Sequence, residues 1–402
     1  MANQGNPRAQ FNPGSMYADG LGVPNDEKLA VEWYRKPADK GYADAQFNLG
    51  WMYANGLGVP KDEKLAVEWF RKAADQGYAD AQCNLGLMYA NGLGVPKDEK
   101  LAVEWYRKAA DQGHAGGQCY LGLMYANGRG VPKDDKLAVE WFRKAADQGN
   151  ADGQSNLGLM YENGRGVPND EKLAVEWYRK AAAQGDVNAQ CNLGVAYANG
   201  RGVPKDEKLA AEWFRKAADQ GYATAQWRLG FMYLNGLDVP KDEKLAVEWF
   251  RKAAAQGYAP AQWLLGGMYA NGRGVPKDDN LAVEWYRKAA DQGDAGAQAL
   301  LGVMYANGRG VSKDEKLAVE WFRKAADQGD ASAQWSLGGM YANGRGVPKD
   351  LVVGYMWTSL AAANGSEGAR KNLDAFEKLM TREQVAEAQR LAREYRDSRQ
   401  PK

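Results

Sequence analysis

The segment YANGRGVPKD is the stretch of this sequence whose residue types come nearest to a chemical site. It begins at Tyr125 and returns unchanged at Tyr197, Tyr269 and Tyr341. Glycines let backbone N–H groups close around an anion, so a segment of this kind could hold a phosphate. A P-loop, however, follows a strand and ends in Gly-Lys-Ser or Gly-Lys-Thr, and this segment has neither feature. Its composition therefore favours a structural turn.

Length and composition indicate a long folded chain. Of its 402 residues, 45% are hydrophobic and 26% are charged. No apolar run reaches the eighteen or so residues of a membrane-spanning helix, so we predict no membrane insertion. The 52 basic residues are balanced by 51 acidic ones, which gives a net charge of +1. Without a basic surface, nucleic acid is not predicted as a partner.

The elements that carry the glycine-rich segment recur every thirty-six residues. Such a period is typical of a solenoid, in which each repeat buries its apolar face against its neighbours. We therefore predict an all-α solenoid of ten 36-residue helix-loop-helix repeats over residues 9–368, with repeats starting at residues 9, 45, 81, 117, 153, 189, 225, 261, 297 and 333. One tryptophan column, predicted to lie in the core, marks the period: Trp33, Trp69, Trp105, Trp141, Trp177, Trp213, Trp249, Trp285, Trp321 and Trp357.

Each repeat is predicted to hold two helices, A and B, joined by the glycine-rich segment. In the third repeat, Leu85, Met88 and Tyr89 have the i, i+3, i+4 spacing of one helix face, and Gly92 would end this helix A. Asp98 is a good N-cap for helix B. The glycines of the segment accept the positive φ angles of a helix exit, and its proline fixes φ before the next helix.

Cysteines and the lone histidine do not indicate a metal site or a disulfide. Cys83, Cys119 and Cys191 occupy equivalent helix positions, which in neighbouring repeats should lie about 10 Å apart. A disulfide needs Cα atoms within about 7 Å, so we predict reduced thiols. No convergent ligand set is visible, so we predict neither a metal nor another cofactor. His114 replaces a recurring tyrosine and is predicted to be a surface residue.

The repeat pattern resembles the Sel1-like repeat family over about nine-tenths of the chain. The resemblance implies a bacterial protein with a right-handed α/α superhelical solenoid, related to tetratricopeptide arrays, with helix A toward the concave side. Members look like adaptors that assemble protein complexes. In the third repeat the matching residues are Ala81, Leu85, Gly86, Met88, Tyr89, Gly92, Gly94, Val95, Asp98, Ala102, Trp105, Tyr106, Lys108, Ala109, Ala110 and Gly113.

The resemblance also raises an alternative function. Some cysteine-rich bacterial members are associated with penicillin binding or β-lactamase activity, so a hydrolase of that type is the second hypothesis. This chain lacks their paired cysteines. It also has no S-x-x-K and no G-x-S-x-G motif, which are the usual acyl-enzyme sequences. We predict that the protein is not an enzyme and has no catalytic residues.

Both ends depart from the repeat. Residues 1–8 align with the end of a preceding helix B and are predicted to be a remnant of that repeat, from a shortened chain or a reading frame that lacks its true start. The sequence therefore leaves the compartment open: cytoplasmic by default, periplasmic or secreted if a leader was removed. Residues 369–402 are predicted to form capping helices, the last one opened by a capping box from Thr381 to Gln384.

Three repeats carry substitutions at structural positions. In repeat 1, Pro13 and Pro37 are predicted to kink or shorten their helices, so this repeat is expected to fray. In repeat 7, Asp238 replaces a linker glycine, and in repeat 9, Ser312 replaces the proline. Both of these loops are expected to close with some strain or slack.

Binding residues are sought among the helix A positions that vary, which are the third, fourth and seventh of each repeat. The third and seventh lie four apart, so they share a face opposite the packed one. Aromatic residues concentrate there in repeats 2, 7, 8 and 10. The alternative, that these side chains only pack between neighbouring A helices, stays open. The predicted binding residues are Phe47, Trp51, Leu87, Trp227, Arg228, Phe231, Trp263 and Trp335.

These residues predict a non-enzymatic scaffold or adaptor that binds a protein or peptide segment in its concave groove. Exposed aromatic side chains are typical anchors for an apolar peptide or helix, and Arg228 could contact a carboxylate. RNA recognition by one base per repeat would need polar variable positions and a basic groove, which this chain lacks. We predict that the protein acts as a monomer.

Overall fold

A computed structural model describes residues 7–399 of the chain, and within that range every regular element is an α-helix. The A helices are α1 Pro7–Asp19, α3 Ala43–Asn55, α5 Ala79–Asn91, α7 Ala115–Asn127, α9 Ala151–Asn163, α11 Val187–Asn199, α13 Ala223–Asn235, α15 Ala259–Asn271, α17 Ala295–Asn307 and α19 Ala331–Asn343. The B helices are α2 Glu27–Asp39, α4 Glu63–Asp75, α6 Glu99–Asp111, α8 Asp135–Asp147, α10 Glu171–Ala183, α12 Glu207–Asp219, α14 Glu243–Ala255, α16 Asp279–Asp291, α18 Glu315–Asp327 and α20 Leu351–Ala363. Two further helices follow, α21 Glu367–Glu377 and α22 Arg382–Asp397.

The chain forms two compact units, Met1–Asp206 and Glu207–Lys402. The first holds α1 to α11 and the second α12 to α22. Inside each unit every helix up to α20 packs against the next one in the chain, so A and B helices alternate. The predicted all-α solenoid of ten 36-residue repeats is confirmed. Of the predicted remnant at residues 1–8, residues 1–6 lie outside the described residues.

The loop between A and B helices has the predicted caps. Gly92 ends α5 with φ 71°, in the left-handed region. The carboxylate of Asp98 accepts the N–H groups of Lys100 and Leu101 at 3.0 Å and so begins α6. These are two of the donors that a helix N-terminus leaves unsatisfied. The repeated YANGRGVPKD segment therefore encodes a helix exit, a short loop and a helix start.

A glutamine spine, which the sequence pattern does not single out, links neighbouring repeats. Gln82 on α5 is buried, and its Nε2 donates to the Ala74 carbonyl at 3.1 Å. Its Oε1 accepts from Nε2 of Gln112, the C-cap of α6 in the same repeat, at 2.7 Å, so the amide joins that helix to Ala74 in the preceding repeat. Buried polar groups must be hydrogen-bonded to be stable, and these bonds satisfy both ends of the amide. The spine thereby fixes the register of one repeat on the next.

The tryptophan column lies at the edge of the core. Trp105 and Trp357 are buried, whereas Trp141 and Trp285 are only half-buried. The prediction of a core column is confirmed for the five buried members and wrong for the other five, which are half-buried: Trp33, Trp141, Trp177, Trp213 and Trp285. In α6, the Lys108 ammonium is 3.7 Å from the ring centroid of Trp105. Such a cation–π contact lets the lysine side chain cover the indole ring while its ammonium group stays in contact with water.

The first repeat does not have shortened helices. Helices α1 and α2 contain Pro13 and Pro37, yet both span 13 residues, as the other A and B helices do. The expected shortening is wrong for this reason: Pro37 lies in the last turn of α2, and its carbonyl still accepts the N–H of Tyr42 at 3.0 Å. Gly14 fits directly over the buried ring of Tyr34, which holds α1 against α2.

Two other sequence predictions about backbone structure are confirmed. Asp238 adopts φ 45°, so the loop of repeat 7 closes with a non-glycine residue in the left-handed region. At the C-terminal end, the Thr381 hydroxyl and the Gln384 amide form the predicted capping box at the start of α22. Both α21 and α22 pack on α20, around a cluster that contains Tyr355 and Phe376.

Candidate docking surface on the A helices

The candidate site consists of the third, fourth and seventh positions of the A helices, counted from the predicted repeat starts. We call these side chains the A-helix face. The predicted binding residues fall into two groups by exposure. The exposed group, with 38% to 46% of the residue surface accessible, is Trp51, Phe231, Trp263 and Trp335. The half-buried group is Phe47, Leu87, Trp227 and Arg228.

An apolar pocket of about 250 Å³ opens on the A-helix face of the second unit. It is open because Gly267 has no side chain, whereas the same position holds leucine in α5, α7 and α9. A Cβ on Gly267 would meet the Tyr286 hydroxyl at 3.6 Å, an ordinary contact distance, so the space for a side chain exists and is unfilled. The apolar lining comes from Leu234, Trp263, Leu264, Met268, Tyr286 and Leu300.

Trp227 packs within the protein, as the alternative interpretation has it. Its ring centroid is 5.9 Å from that of Tyr258 and 6.2 Å from that of Phe231. Its indole Nε1 is buried without a hydrogen-bond partner among the described residues. Trp263 differs, because 38% of its surface is accessible and its ring forms a wall of the open pocket.

The first unit has small buried side chains where the second has tryptophans. The third position is cysteine in α5, α7 and α11 and serine in α9, and all four are buried. In α3, the ring centroid of Phe47 is 5.7 Å from that of Phe70 and 5.4 Å from that of Tyr78. Trp51 alone of the aromatic residues predicted to bind on this unit is exposed. The second unit therefore offers the larger apolar surface to a partner.

A polar pocket of about 270 Å³ lies beside Cys83 and Cys119 in the first unit. His114 lines it and is the N-cap of α7: its Nδ1 accepts the Gly117 N–H at 2.9 Å. Its Nε2 lies 3.2 Å from the Asp80 carboxylate. The prediction of a surface histidine is therefore wrong, since the side chain is only 25% exposed and caps a helix. With both ring nitrogens engaged, His114 is not available to activate a thiol.

The thiols of this pocket are poor nucleophiles. Burial, with a smaller contribution from nearby carboxylates, raises the pKa of Cys83 and of Cys119 to about 12. A thiol with such a pKa stays protonated at neutral pH, and the thiolate is the reactive form. Among the described residues, no group of three or more histidine, cysteine or acidic side chains is placed to bind a metal.

The glycine-rich loops are occupied by internal carboxylates. In the second repeat, the Gly58 N–H donates to the Glu27 carboxylate at 3.1 Å. Where the loop carries arginine, that side chain pairs with a carboxylate of the preceding repeat, which is Glu162 on α9 for Arg201 and the first acidic residue of the B helix for the others. Arg165, for example, lies 2.6 Å from Asp135. The Gly58 N–H and the loop arginines, which could have met a phosphate, thus have partners within the protein, and this favours the structural interpretation of the segment.

Sequence reasoning missed most of the apolar lining of the pocket in the second unit. Leu264 and Leu300 occupy the fourth position, which is asparagine in α3, α5, α9 and α11. Leu234 and Gly267 likewise replace residues that are alanine or leucine in several other repeats. The signal was present as coincident departures from the repeat in α13, α15 and α17. The pocket can be predicted only when the small residue Gly267 and the large residues around it in neighbouring repeats are considered together.

Ten alternating helix pairs with one variable, partly open face define an α-helical repeat protein of the solenoid class. The chain belongs to the Sel1 repeat family. The family profile matches ten consecutive segments: 7–42, 43–78, 79–114, 115–150, 151–186, 187–222, 223–258, 259–294, 295–330 and 331–366. This frame has the predicted period and starts two residues earlier. Among the described helices, none is long and apolar enough to cross a membrane.

Two solved structures are similar to this chain over most of its length. A protective antigen of uropathogenic Escherichia coli with an SLR fold has 37% identity, covers 98% of this chain and 93% of its own, and gives a TM-score of 0.57. A Sel1 repeat protein from Oxalobacter formigenes has 38% identity, covers 79% of this chain and 94% of its own, and gives 0.56. A comparison with curated proteins gave no match.

Proposed function

We propose that this protein is a non-enzymatic scaffold that binds a segment of another protein on the A-helix face of its second unit. Sel1 repeat proteins are commonly interaction scaffolds, and the family is typically non-enzymatic. The observation that carries the proposal for this chain is the open apolar pocket between Trp263, Gly267 and Leu300. A partner side chain that fills it would bury apolar surface on both molecules.

The exposed aromatic residues extend the surface beyond that pocket. Phe231 on α13 and Trp335 on α19 are exposed on the same face as Trp263 on α15. Large aromatic side chains in partly open pockets dominate binding energies at protein interfaces. A net charge of +1 gives little long-range steering, so apolar anchoring is the main contribution we infer. We propose that the protein binds its partner as a monomer, which light scattering on the free protein checks.

The hydrolase alternative has no observation in its favour. Among the described residues, the histidine that a thiol would need as a base is engaged at both nitrogens. The Ser332 hydroxyl donates to its neighbour Asp330 at 2.6 Å, within a helix cap that holds no histidine. A nitrocefin turnover assay on the purified protein checks this point, and turnover above that of a heat-inactivated sample would contradict the proposal.

The binding proposal is tested by filling the pocket. Peptides from a random 12-residue display library are selected on the full chain, and their affinities are measured for the wild type and for Gly267→Leu. The leucine reproduces the residue of α5, α7 and α9, so the fold is kept. We expect binding to weaken about thirtyfold, which corresponds to about 2 kcal/mol for a lost anchor. Trp263→Ala, which reproduces Ala299 of α17, should act in the same direction.

The matched control is Leu379→Ala, which removes an apolar side chain that is 71% exposed but lies between α21 and α22. Its affinity for the same peptides should equal that of the wild type. Circular dichroism melting confirms that all variants are folded. Selected peptides that bind Gly267→Leu as tightly as the wild type would show that the pocket is not the site.

A further inference from the structure

We propose that the partner segment carries a carboxylate next to its apolar anchor, and that this carboxylate pairs with Arg228. The inference rests on the proposed function and specifies the chemistry of the partner. Arg228 lies on α13 of the second unit, at the fourth position of its repeat. The pocket that would hold the apolar anchor is lined by Leu264, the residue at the same position one repeat further on.

Arg228 is a half-buried cation without a counter-ion. Its Nε is buried and has no hydrogen-bond partner, and no carboxylate pairs with it among the residues described. The guanidinium carbon lies 5.6 Å from the ring centroid of Phe214 and 5.5 Å from that of Trp227. Guanidinium stacked on aromatic rings is held in one orientation and is weakly hydrated, which suits it to bind a carboxylate.

The other arginines in the repeats of the second unit, on the B helices and in the loops, have partners. Arginines of the B helices donate to a tyrosine hydroxyl of the next repeat, as Arg251 does to Tyr269 at 2.6 Å. Arginines of the loops pair with carboxylates, as Arg309 does with Asp279 at 2.8 Å. Arg228, whose Nε is buried and unsatisfied, is therefore a departure from the pattern of the repeats.

The fold does not need an arginine at this position. The equivalent residue is leucine at 264 and 300 and asparagine in α3, α5, α9 and α11, and all of these helices have the same length. An arginine here has a larger desolvation cost than leucine or asparagine, because its side chain is charged. A carboxylate from outside would satisfy the exposed donors of the guanidinium, and the apolar surroundings would strengthen the pair.

The separation of the two sites sets the spacing in the partner. Neighbouring helices of a packed array lie on the order of 10 Å apart. An extended segment spans that distance in about three residues and a helical one in about seven, given rises of about 3.3 and 1.5 Å per residue. The inferred partner chemistry is thus an aspartate, a glutamate or a chain-terminal carboxylate at such a distance from a large apolar side chain.

The test compares display selections, from the same random 12-residue library, on the wild type and on Arg228→Glu. Wild-type selection should enrich acidic residues, and the charge-reversed variant should enrich lysine or arginine at the same spacing from the apolar anchor. For one selected peptide, change of its acidic residue to the amide should weaken binding to the wild type about tenfold. The same change should have less than about a twofold effect on Arg228→Leu.

The controls separate this inference from the function on which it rests. Arg228→Leu reproduces the residue at 264 and 300, so its melting temperature should match that of the wild type, and Arg228→Lys tests charge without the planar fork. Peptides that bind Gly267→Leu and Trp263→Ala more weakly than the wild type, yet show no preference for acidic residues, would overturn the proposed pairing of a carboxylate with Arg228. They would leave the proposed binding function intact. If no selected peptide binds Trp263→Ala more weakly than the wild type, both the binding function and the pairing with Arg228 are overturned.

Discussion

A methyl group on Gly94 would lie 2.2 Å from the carbonyl oxygen of Glu63. This close approach brings the loop of the third repeat onto the first turn of α4, in the second repeat. Gly130 meets Glu99 in the same way one repeat further on, also at 2.2 Å. The second glycine of the recurring segment thus fixes how closely consecutive repeats stack, and the first one ends the helix.

Substitution of Gly94 by alanine should therefore separate two repeats. The new Cβ clashes with backbone that cannot move away, and φ +68° is unfavourable for alanine. We expect a loss of more than about 2 kcal/mol in unfolding free energy, measured by urea titration. Gly113→Ala is the matched control, since its φ is +87° but nothing lies within 4 Å of its Cβ. It should cost only about 1 kcal/mol, and equal losses in both variants would contradict the stacking role.

The fold could be predicted because local signals agree in every repeat. Asp98 is an N-cap by residue type, Gly92 is a helix stop, and both signals recur at the same spacing along the chain. The glutamine spine was missed because a polar residue on a helix is ordinarily solvated. Burial of Gln82 depends on Gln112, a partner thirty residues away at the end of the following B helix. Periodicity shows that both residues recur and does not show that they meet.

Exposure on the A-helix face could not be predicted either, because it too depends on a contact with a residue that is distant in the sequence. A third-position side chain lies against the residue thirty-three positions later, which is on the following A helix or, for Trp335, on α21. The Trp335 ring meets Gly368, where a Cβ would be 3.1 Å away, and Trp263 meets Gly296 at 3.3 Å. Trp227 meets the ring of Tyr258 instead and is half-buried. The same residue type therefore has different exposure, according to its neighbour.

Loop ion pairs predict a dependence of stability on pH. The hydrogen bond from Arg165 lowers the pKa of Asp135, and Arg309 lowers that of Asp279. A carboxyl whose pKa is lower in the folded state stabilises the protein above its ordinary pKa of about 4. That contribution is lost as the pH falls through the lowered folded pKa. Urea midpoints should therefore fall in acid, and high salt should reduce the effect at neutral pH.

The variant that isolates one ion pair is Arg309→Leu, which reproduces the loop residue at 57, 93 and 237, because Asp279 is the one hydrogen-bond acceptor of the Arg309 guanidinium among the described residues. Its urea midpoint should be slightly lower than that of the wild type at pH 7, because exposed pairs contribute little. The difference should vanish below the folded pKa of Asp279, where the carboxyl is protonated in both proteins. A difference that persists undiminished at pH 2 would mean that the arginine acts through packing and not through charge.

Thiol reactivity should report the folded state. Burial raises the pKa of Cys83 and Cys119 to about 12, and Cys191 is also buried. At pH 8 the folded protein should therefore react with Ellman's reagent at a negligible rate, because little thiolate is present and access is blocked. All three thiols should react in guanidinium chloride. Fast labelling of one thiol in the native protein would show local opening at that repeat.

The last two helices are expected to stabilise the end of the second unit. Phe376 on α21 is 9% exposed and makes an edge contact with Tyr355 of α20, with ring centroids 6.0 Å apart. Phe376→Ala should cost about 3 kcal/mol of unfolding free energy, because a buried ring is removed and a cavity is left. Leu379→Ala, which truncates a side chain that is 71% exposed, is the control and should be neutral.

The expected result follows from the way a solenoid ends. An interior repeat is covered on both sides, whereas α20 has a preceding repeat on one side and depends on α21 and α22 on the other. The Tyr395 hydroxyl donates to Asp327 at 2.5 Å, so α22 also reaches back to α18. Loss of Phe376 should therefore expose the apolar surface of α20 and increase binding of a hydrophobic dye at temperatures below the main transition. Equal melting of Phe376→Ala and Leu379→Ala would show that the unit does not depend on these helices.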